Sequence, residues 1–272
     1  MKKIVSFDGT PIAYWTSGTG PALVLVHGTT ADHTRWQALL PLLEPHVTVY
    51  AMDRRGRGAS GDAPDYALAH EAADVVAVVE AVADATGGPV DVFGHSYGAQ
   101  CTLEALLLTS AVRRAVLYEP GIVSTTPAGW LDRMTALVTD GRREEVVVAL
   151  LREIAGLTEE QVEWVRADPS WAGRVAAAHT VVRETRAVDD YRFNPARFDA
   201  VTVPTLLLTG SQTDADFAAS TTLLAEALPG ARVVTLAGQG HVAMLTAPEL
   251  LAAELLGFSC RTVDRTSEPF VG

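Results

Sequence analysis

The sequence predicts an α/β fold, in which a mostly parallel β-sheet carries helices on both faces. Short apolar segments alternate with longer helical segments over residues 1–120, and the alternation resumes after residue 203. Within the first block, the apolar run 90–93 leads through a glycine-rich turn into a helical run that begins at Ala99. A strand followed at once by a helix is the repeating unit of a parallel sheet.

The strands are predicted from apolar runs and from the turns that bound them. A hairpin is expected around Asp8 and Gly9, which form a turn dipeptide between two short strands. The run ALVLVH is apolar almost throughout, as expected for a strand that is covered on both faces. In chain order, the predicted strands are 4–7, 12–16, 22–27, 47–52, 90–93, 114–118, 205–209 and 232–236.

The helices are predicted from longer patterned segments. Residues 67–85 are rich in alanine and valine and are followed by Gly87, Gly88 and Pro89, which favour the end of a helix. The other helices expected in the alternating part of the chain are 34–44, 99–108, 216–228 and 248–256. Between Pro120 and Val203 no strong strand signal is present, and four helices are predicted there, at 128–139, 142–155, 158–167 and 170–188.

This change of pattern predicts the domain organisation. We expect a core made of residues 1–120 and 204–257, a helical cap of residues 121–203 over the functional site, and a loosely held tail of residues 258–272. The side chains of Met134 and of the cap tryptophans could line an apolar pocket or form the core of the cap itself. These tryptophans are Trp130, Trp164 and Trp171.

Composition limits the classes of partner and location. The chain has 272 residues, of which 48% are hydrophobic, and its formal net charge is −12. This acidic balance argues against nucleic-acid partners and against attraction to an anionic membrane. No signal peptide or membrane-spanning segment is predicted, and the two cysteines, Cys101 and Cys260, form neither a disulfide framework nor a metal-like pair. We therefore expect a soluble cytoplasmic protein, with Cys101 as a small buried thiol.

The turn after the run 90–93 has the pattern Gly-x-Ser-x-Gly, formed by Gly94, Ser96 and Gly98. Between a strand and a helix, this pattern predicts a nucleophile elbow, which presents a serine hydroxyl at the top of the sheet. Glycine is expected at both positions because side chains there would collide with the strained turn. Ser96 is therefore the candidate nucleophile.

A serine hydroxyl needs a base to remove its proton, and the base needs a carboxylate to orient it. His241 is the candidate base, because it lies in a glycine-flanked loop after the last predicted strand. His27 is expected to brace the loop after the early strand, and His95 to point away from the nucleophile. Two backbone N–H groups are expected to bind the oxyanion: that of Tyr97, which follows the nucleophile, and that of Thr29.

The stretch from Asp53 to Ser60 is rich in glycine and arginine and follows a predicted strand. Such a loop is expected to hold its neighbours together through charge-assisted hydrogen bonds. Phosphate binding is the alternative, but no P-loop pattern accompanies it.

Together these motifs resemble the α/β-hydrolase superfamily, specifically its capped esterase, lactonase and haloperoxidase-like branch. The resemblance covers nearly the whole chain and rests on His27-Gly28, the loop 53–60, the motif around Ser96, and Gly240-His241. It implies an α/β-hydrolase fold with an eight-stranded, mostly parallel sheet, a Ser–His–acid triad and no cofactor. No metal site is predicted.

The acid departs from the pattern of the superfamily. Its usual position lies three residues after Gly210, where this chain has Thr213, and the carboxylate of Asp214 comes one residue later. Some relatives, including haloalkane dehalogenases, take the acid from the end of the strand that follows the nucleophile, and Glu119 stands there. Glu119 is the preferred acid and Asp214 is the alternative. A residue that is not the acid has a structural role instead: Asp214 would cap a helix, and Glu119 would pair with an arginine.

These residues predict a serine hydrolase that cleaves a small or medium carboxylic ester, lactone or thioester. A serine at the elbow argues against dehalogenase and epoxide hydrolase chemistry, which uses aspartate there. The alternatives are a C–C bond hydrolase or an acyltransferase with the same triad, or a non-catalytic ligand-binding member of the fold. The expected partner is a small acyl substrate, and the chain is expected to be a monomer or a homodimer.

Overall fold

A computed structural model describes residues 1–123 and 125–259 of the chain. Most of the predicted tail, together with Cys260, lies outside the described residues. Eight strands form one sheet in the order β1-β2-β4-β3-β5-β6-β7-β8. They are β1 Lys2–Val5, β2 Pro11–Gly18, β3 Ala22–Val26, β4 Thr48–Met52, β5 Val90–His95, β6 Val112–Tyr118, β7 Thr205–Gly210 and β8 Arg232–Leu236.

The sheet is mostly parallel, as predicted. β1 pairs with β2, and β2 with β4, in antiparallel fashion, whereas every pairing from β4 through β3, β5, β6 and β7 to β8 is parallel. The carboxyl ends of β3, β5, β6, β7 and β8 therefore meet at one edge. In open α/β sheets, ligands bind in the crevice outside this edge.

The α-helices flank the sheet, and five of those in the described residues lie between β6 and β7. They are α1 Leu40–Leu43, α2 Leu68–Thr86, α3 Tyr97–Ala105, α4 Trp130–Thr139, α5 Arg143–Ala149, α6 Glu159–Ala167, α7 Trp171–Ala176, α8 Val181–Asp190, α9 Ala215–Ala227, α10 Ala243–Thr246 and α11 Pro248–Ser259. Among the described residues, no helix is long and apolar enough to cross a membrane.

Three of the predicted helices are divided in the structure. The segment 34–44 contains a 3₁₀ helix, His33–Trp36, and then α1, because Pro41 has no backbone N–H to donate to an earlier carbonyl. The segment 142–155 contains α5 followed by a π-helical turn, Leu150–Ile154, and the segment 170–188 contains α7, a 3₁₀ turn and α8. The short helix α10 was not predicted.

Alternating strand residues supply two hydrophobic cores, one on each face of the sheet. Leu25 and Phe93 belong to one core, and Val24 and Val92 to the other. Each large apolar side chain that is buried in this way contributes about 1.5–3 kcal/mol. The insertion between β6 and β7 extends the first core, because Trp130 and Met134 are 2% and 0% exposed within it.

One of the two expectations for the cap tryptophans and Met134 was that they line an apolar pocket. This expectation is wrong for the cavity that opens beside Ser96. Trp130 and Met134 pack inside the insertion, and the side chain of Trp164 is 48% exposed at the surface. Trp171 is half-buried against the first core. None of these four side chains lines the cavity beside Ser96.

Candidate active site

Ser96 lies on a sharp turn between β5 and α3, with φ 57° and ψ −128°. This left-handed conformation costs free energy for a non-glycine residue. A Cβ atom at Gly94 would lie 2.7 Å from Cα of Ala99, and one at Gly98 would lie 2.3 Å from the carbonyl oxygen of His27. The two flanking glycines are therefore required by close backbone approach, as the sequence predicted.

His241 stands against Ser96 at the carboxyl edge of the sheet. Its Nε2 lies 3.0 Å from Oγ of Ser96, and its Nδ1 lies 2.7 Å from Oε2 of Glu119. Because an ionised carboxylate only accepts hydrogen bonds, the Nδ1 atom carries the proton, and Nε2 is left to accept the proton of the serine hydroxyl. The three side chains thus form one continuous hydrogen-bond chain.

Two aromatic side chains hold the His241 ring in place. The ring of Phe217 stacks on the imidazole with centroids 4.1 Å apart and an interplanar angle of 19°. The ring of His95 lies 4.7 Å from that of His241, centroid to centroid, and its Nε2–H donates to the carbonyl oxygen of His241 over 2.9 Å. Burial lowers the pKa of His95 well below its usual value, so this ring is a neutral donor at neutral pH.

Glu119 lies directly after β6, fully buried, in a left-handed conformation with φ 47°. Its Oε1 accepts a hydrogen bond of 2.7 Å from the backbone N–H of Gly210, and its Oε2 faces His241. β6 lies between β5 and β7, so a residue at its end is next to both the elbow and the start of the β7 loop. Both carboxylate oxygens are therefore engaged and the side chain is oriented.

Asp214 does not reach His241 in the structure. Its side chain is exposed and caps α9, accepting a hydrogen bond of 2.9 Å from the backbone N–H of Asp216. This is the helix-capping role that we expect of Asp214 if it is not the triad acid. Of the two predicted acids, the structure brings only Glu119 into contact with His241.

The loop after β3 passes directly against the serine. A Cβ atom at Gly28 would lie 2.8 Å from Cβ of Ser96, so only glycine permits this approach. The residues Thr29 and Tyr97 both line the cavity next to Ser96. Within the described part of the chain, neither of their backbone N–H groups has a hydrogen-bond acceptor.

His27 braces this loop, as predicted. Its Nε2 accepts a hydrogen bond of 3.2 Å from the backbone N–H of Arg54, and its Nδ1 lies 2.9 Å from the carbonyl oxygen of Gly28. Burial lowers the pKa of His27 well below its usual value, and Arg54 and Arg57 lower it further. The ring is therefore neutral, with the proton on Nδ1.

The loop after β4 is held by buried ion pairs, which confirms its predicted structural role. Arg54 donates to Glu71 over 3.0 Å and to Glu184 over 2.9 Å, and Arg57 also donates to Glu184. Glu184 belongs to α8, so this network joins the loop to the insertion. Burial raises the pKa of Glu184, but the two arginines outweigh burial and lower it to about 2.

Replacing Glu184 by glutamine should destabilise the protein by about 3 kcal/mol at neutral pH, because Arg57 would lose its carboxylate and Arg54 would keep only Glu71. The folded-state pKa of Glu184 is about 2, below its ordinary value of 4.5, so its contribution is present above pH 4.5 and is lost as the pH falls through 2. The difference between wild type and Glu184→Gln should therefore shrink with falling pH. Urea unfolding between about pH 7 and pH 3 measures it.

The control for this prediction is Glu226→Gln, which changes an exposed carboxylate on α9. It should alter stability by less than about 0.5 kcal/mol. A Glu184→Gln protein that is as stable as wild type at neutral pH would contradict the proposed coupling of loop and insertion.

Asp32, His33 and Asp53 bring three potential metal-ligand atoms within 4.8 Å of one another. The carboxylate of Asp53 is already engaged, since it accepts hydrogen bonds from the backbone N–H groups of His33 and Ala59 at 2.8 and 2.7 Å. The ring of His33 lies flat on Trp15 with centroids 3.4 Å apart. These contacts fix the loops after β3 and β4, and we assign the cluster a structural role.

A cavity of about 240 Å³ opens next to Ser96 and His241. The core side of its wall includes Thr29 and Tyr97, and the insertion contributes apolar side chains, among them Leu150, Leu151 and Val188. The insertion thus covers the carboxyl edge of the sheet. Three residues beside the site, Arg35, Arg174 and Phe217, carry no sequence signal that singles them out, because their positions depend on how the insertion and the loops pack.

Comparisons with known proteins agree with the fold and identify the family. Residues 23–254 match the alpha/beta hydrolase family. This chain belongs to that family. An alpha/beta hydrolase from Sphaerobacter thermophilus is 35% identical, and the alignment covers 95% of this chain and all of that one, with a TM-score of 0.81. The family and its relatives support assignment of the chain as a hydrolase.

Two curated relatives extend the comparison. A pimeloyl-[acyl-carrier protein] methyl ester esterase from Nitrosomonas europaea is 26% identical over 251 residues, which are 86% of this chain and 94% of that protein. The probable oxidoreductase EphD of Mycobacterium tuberculosis is 34% identical over 124 residues, or 43% of this chain. The match to EphD spans about a fifth of that protein's length, 21%.

Proposed function

We propose that this protein is a serine hydrolase that cleaves a small or medium carboxylic ester, lactone or thioester through an acyl-enzyme. The observation that carries the proposal is the chain of contacts from Ser96 to His241 and Glu119, at 3.0 and 2.7 Å. Similarity to a methyl ester esterase adds support, and the cavity of about 240 Å³ suits a substrate of modest size.

In the proposed reaction, Oγ of Ser96 attacks the substrate carbonyl while Nε2 of His241 removes the hydroxyl proton. Glu119 keeps the ring in the required tautomer and stabilises the imidazolium that forms. The carbonyl oxygen becomes an oxyanion, which the backbone N–H groups of Thr29 and Tyr97 bind. In other serine hydrolases, one such donor is worth about 2.7–4 kcal/mol.

Collapse of the tetrahedral intermediate breaks the bond to the leaving group, which takes the proton back from His241. This step leaves an acyl ester on Ser96. A water molecule then attacks this ester, with His241 again acting as the base, and the free acid departs as the serine hydroxyl is restored. The net reaction adds one water molecule across the acyl bond of the substrate.

A fluorophosphonate probe tests this proposal, because it reacts with serine hydroxyls that are activated by a base. Wild type should gain one probe per chain by intact mass, and peptide mapping should place it on Ser96. Ser96→Ala should not be labelled. If wild type stays unlabelled and also fails to hydrolyse p-nitrophenyl acetate and butyrate, the proposal is wrong and a ligand-binding role takes its place.

A further inference from the structure

Two buried guanidinium groups line the cavity beside Ser96, and neither takes part in the proposed triad. Arg35 lies in the 3₁₀ helix after the β3 loop and is 4% exposed, while Arg174 comes from α7 of the insertion and is 3% exposed. Both are on the cavity wall. They approach it from opposite layers, one from the core and one from the insertion.

Each guanidinium keeps a buried nitrogen without a partner among the described residues. Arg35 donates from Nη2 to Sδ of Met244 over 2.9 Å, a weak acceptor, and its Nη1 has no acceptor. Arg174 donates from Nη1 to Oγ1 of Thr30 and from Nε to Oγ of Ser170, both over 3.3 Å, and its Nη2 has no acceptor. Buried groups of this kind normally have partners.

The two arginines also lack direct charge partners. In residues 1–123 and 125–259, no carboxylate lies within 4.0 Å of either guanidinium. Asp32 and Asp168 act on Arg174, and Asp168 on Arg35, only at longer range. Both carboxylates accept hydrogen bonds from nearby backbone N–H groups, those of Thr34 and Ser170. By contrast, the buried arginines of the β4 loop, Arg54, Arg55 and Arg57, all have carboxylate partners.

Burial therefore acts on Arg35 and Arg174 with little compensation. It lowers the pKa of Arg174 to about 10, and it lowers the pKa of Arg35 well below its usual value, which the nearby charge of Arg174 lowers further. A guanidinium nevertheless stays protonated at neutral pH. An anion placed between the two groups would supply the missing hydrogen-bond acceptors and the missing charge.

The acidic side chains of the cavity do not fill this role. Glu184 is held by Arg54 and Arg57, and the exposed Glu153 pairs with Arg133. Asp214 is exposed and caps α9, and Asp216 accepts a hydrogen bond from the hydroxyl of Thr125. None of these carboxylates contacts Arg35 or Arg174 among the described residues.

We infer that Arg35 and Arg174 bind a carboxylate carried by the substrate, a few bonds from the carbonyl that Ser96 attacks. This inference rests on the proposed hydrolase function and narrows its substrate class to acidic esters, lactones or thioesters, such as monoesters of short dicarboxylic acids. Guanidinium groups favour carboxylates through paired N–H donors. Arg174 is anchored on Thr30, next to the proposed oxyanion donor Thr29, so the carboxylate lies on the oxyanion side of the cavity.

The test compares matched methyl esters that differ only in this group. The monomethyl esters of succinate, glutarate and adipate carry the carboxylate, and their ω-carboxamide counterparts have nearly the same shape without the charge. Wild type should favour at least one acid over its amide by roughly 10- to 100-fold in kcat/KM, as expected for charge-assisted hydrogen bonds. Equal kcat/KM values in all three pairs would overturn the inference.

Variants of the two arginines test whether they cause the preference for the acid over the amide. Arg35→Met and Arg174→Met should each lower the ratio of acid to amide kcat/KM by about tenfold or more, since each removes one set of charged donors. Arg142→Met is the matched control: this exposed arginine of the insertion pairs with Glu145 and does not line the cavity, and its replacement should leave the ratio unchanged. An unchanged ratio in both test variants, or an equal loss in the control, would overturn the inference.

A binding measurement separates this inference from the proposed chemistry. Calorimetry with the Ser96→Ala protein should show tighter binding of monomethyl glutarate than of its carboxamide, whether or not wild type turns over any ester. Binding with this preference but no turnover by wild type would leave the anion site standing and reject the hydrolase proposal. Turnover of neutral esters without any preference in binding would support the hydrolase proposal and reject the anion site.

Discussion

Ser96→Ala should lower kcat/KM for p-nitrophenyl butyrate by roughly 10⁴- to 10⁶-fold, the range found when a triad serine is removed. In the proposed mechanism no acyl-enzyme can form without Oγ, and Nε2 of His241 loses the hydroxyl that lies 3.0 Å away. The measurement is the steady-state rate with the two purified proteins at the same pH, with the background hydrolysis subtracted.

The same variant should remain folded. Only one small oxygen is lost at the cavity wall, and alanine must adopt the same left-handed turn as serine, so the stability change should stay within about 1 kcal/mol. Thermal unfolding followed by circular dichroism checks this. Turnover by Ser96→Ala within tenfold of wild type would remove Ser96 from the mechanism.

Glu119→Gln should lower kcat by roughly 10³- to 10⁴-fold, the scale seen when a triad carboxylate becomes an amide. The amide carries no charge to stabilise the imidazolium. It can also present an N–H group to Nδ1 of His241 and so favour the tautomer in which Nε2 carries the proton. The backbone N–H of Gly210, which donates to Glu119 over 2.7 Å, can still donate to the amide oxygen, which limits the structural change.

Asp214→Asn is the matched control, because it makes the same carboxylate-to-amide change at the other predicted acid. Asparagine is as good a helix N-cap as aspartate, so the hydrogen bond to the backbone N–H of Asp216 is kept. Its kcat should stay within about twofold of wild type. A large loss in Asp214→Asn with little loss in Glu119→Gln would exchange the roles of the two residues.

Much of the fold could be predicted because its signals are local. The elbow depends on residues within one turn of Ser96, and the glycines at 94 and 98 mark close contacts that the structure shows. The long helix α2 and the strands β3 and β5 are visible as continuous patterns for the same reason. Pro41 also signals the division of the segment 34–44, since proline interrupts helical hydrogen bonding. The prediction nevertheless treated this segment as one continuous helix.

The choice between Glu119 and Asp214 required the tertiary structure. Both follow strands whose carboxyl ends meet at the same edge, so sequence position alone places both near His241. The left-handed backbone at Glu119 directs its carboxylate to the imidazole, whereas Asp214 begins α9 and turns to its own helix. Neither the strand order nor these backbone directions can be read from a pattern of apolar residues.

By itself, the sequence determined the class of fold, the candidate nucleophile and base, and the presence of a helical insertion, because each depends on neighbours along the chain. Only the tertiary structure decided which carboxylate faces His241, which insertion side chains reach the cavity, and which buried arginines lack a carboxylate partner. Arg54 and Arg35 look alike in the sequence, but α2 and α8 supply carboxylates to the first and not to the second. Charge compensation is set by contacts between distant segments, and these exist only in the folded chain.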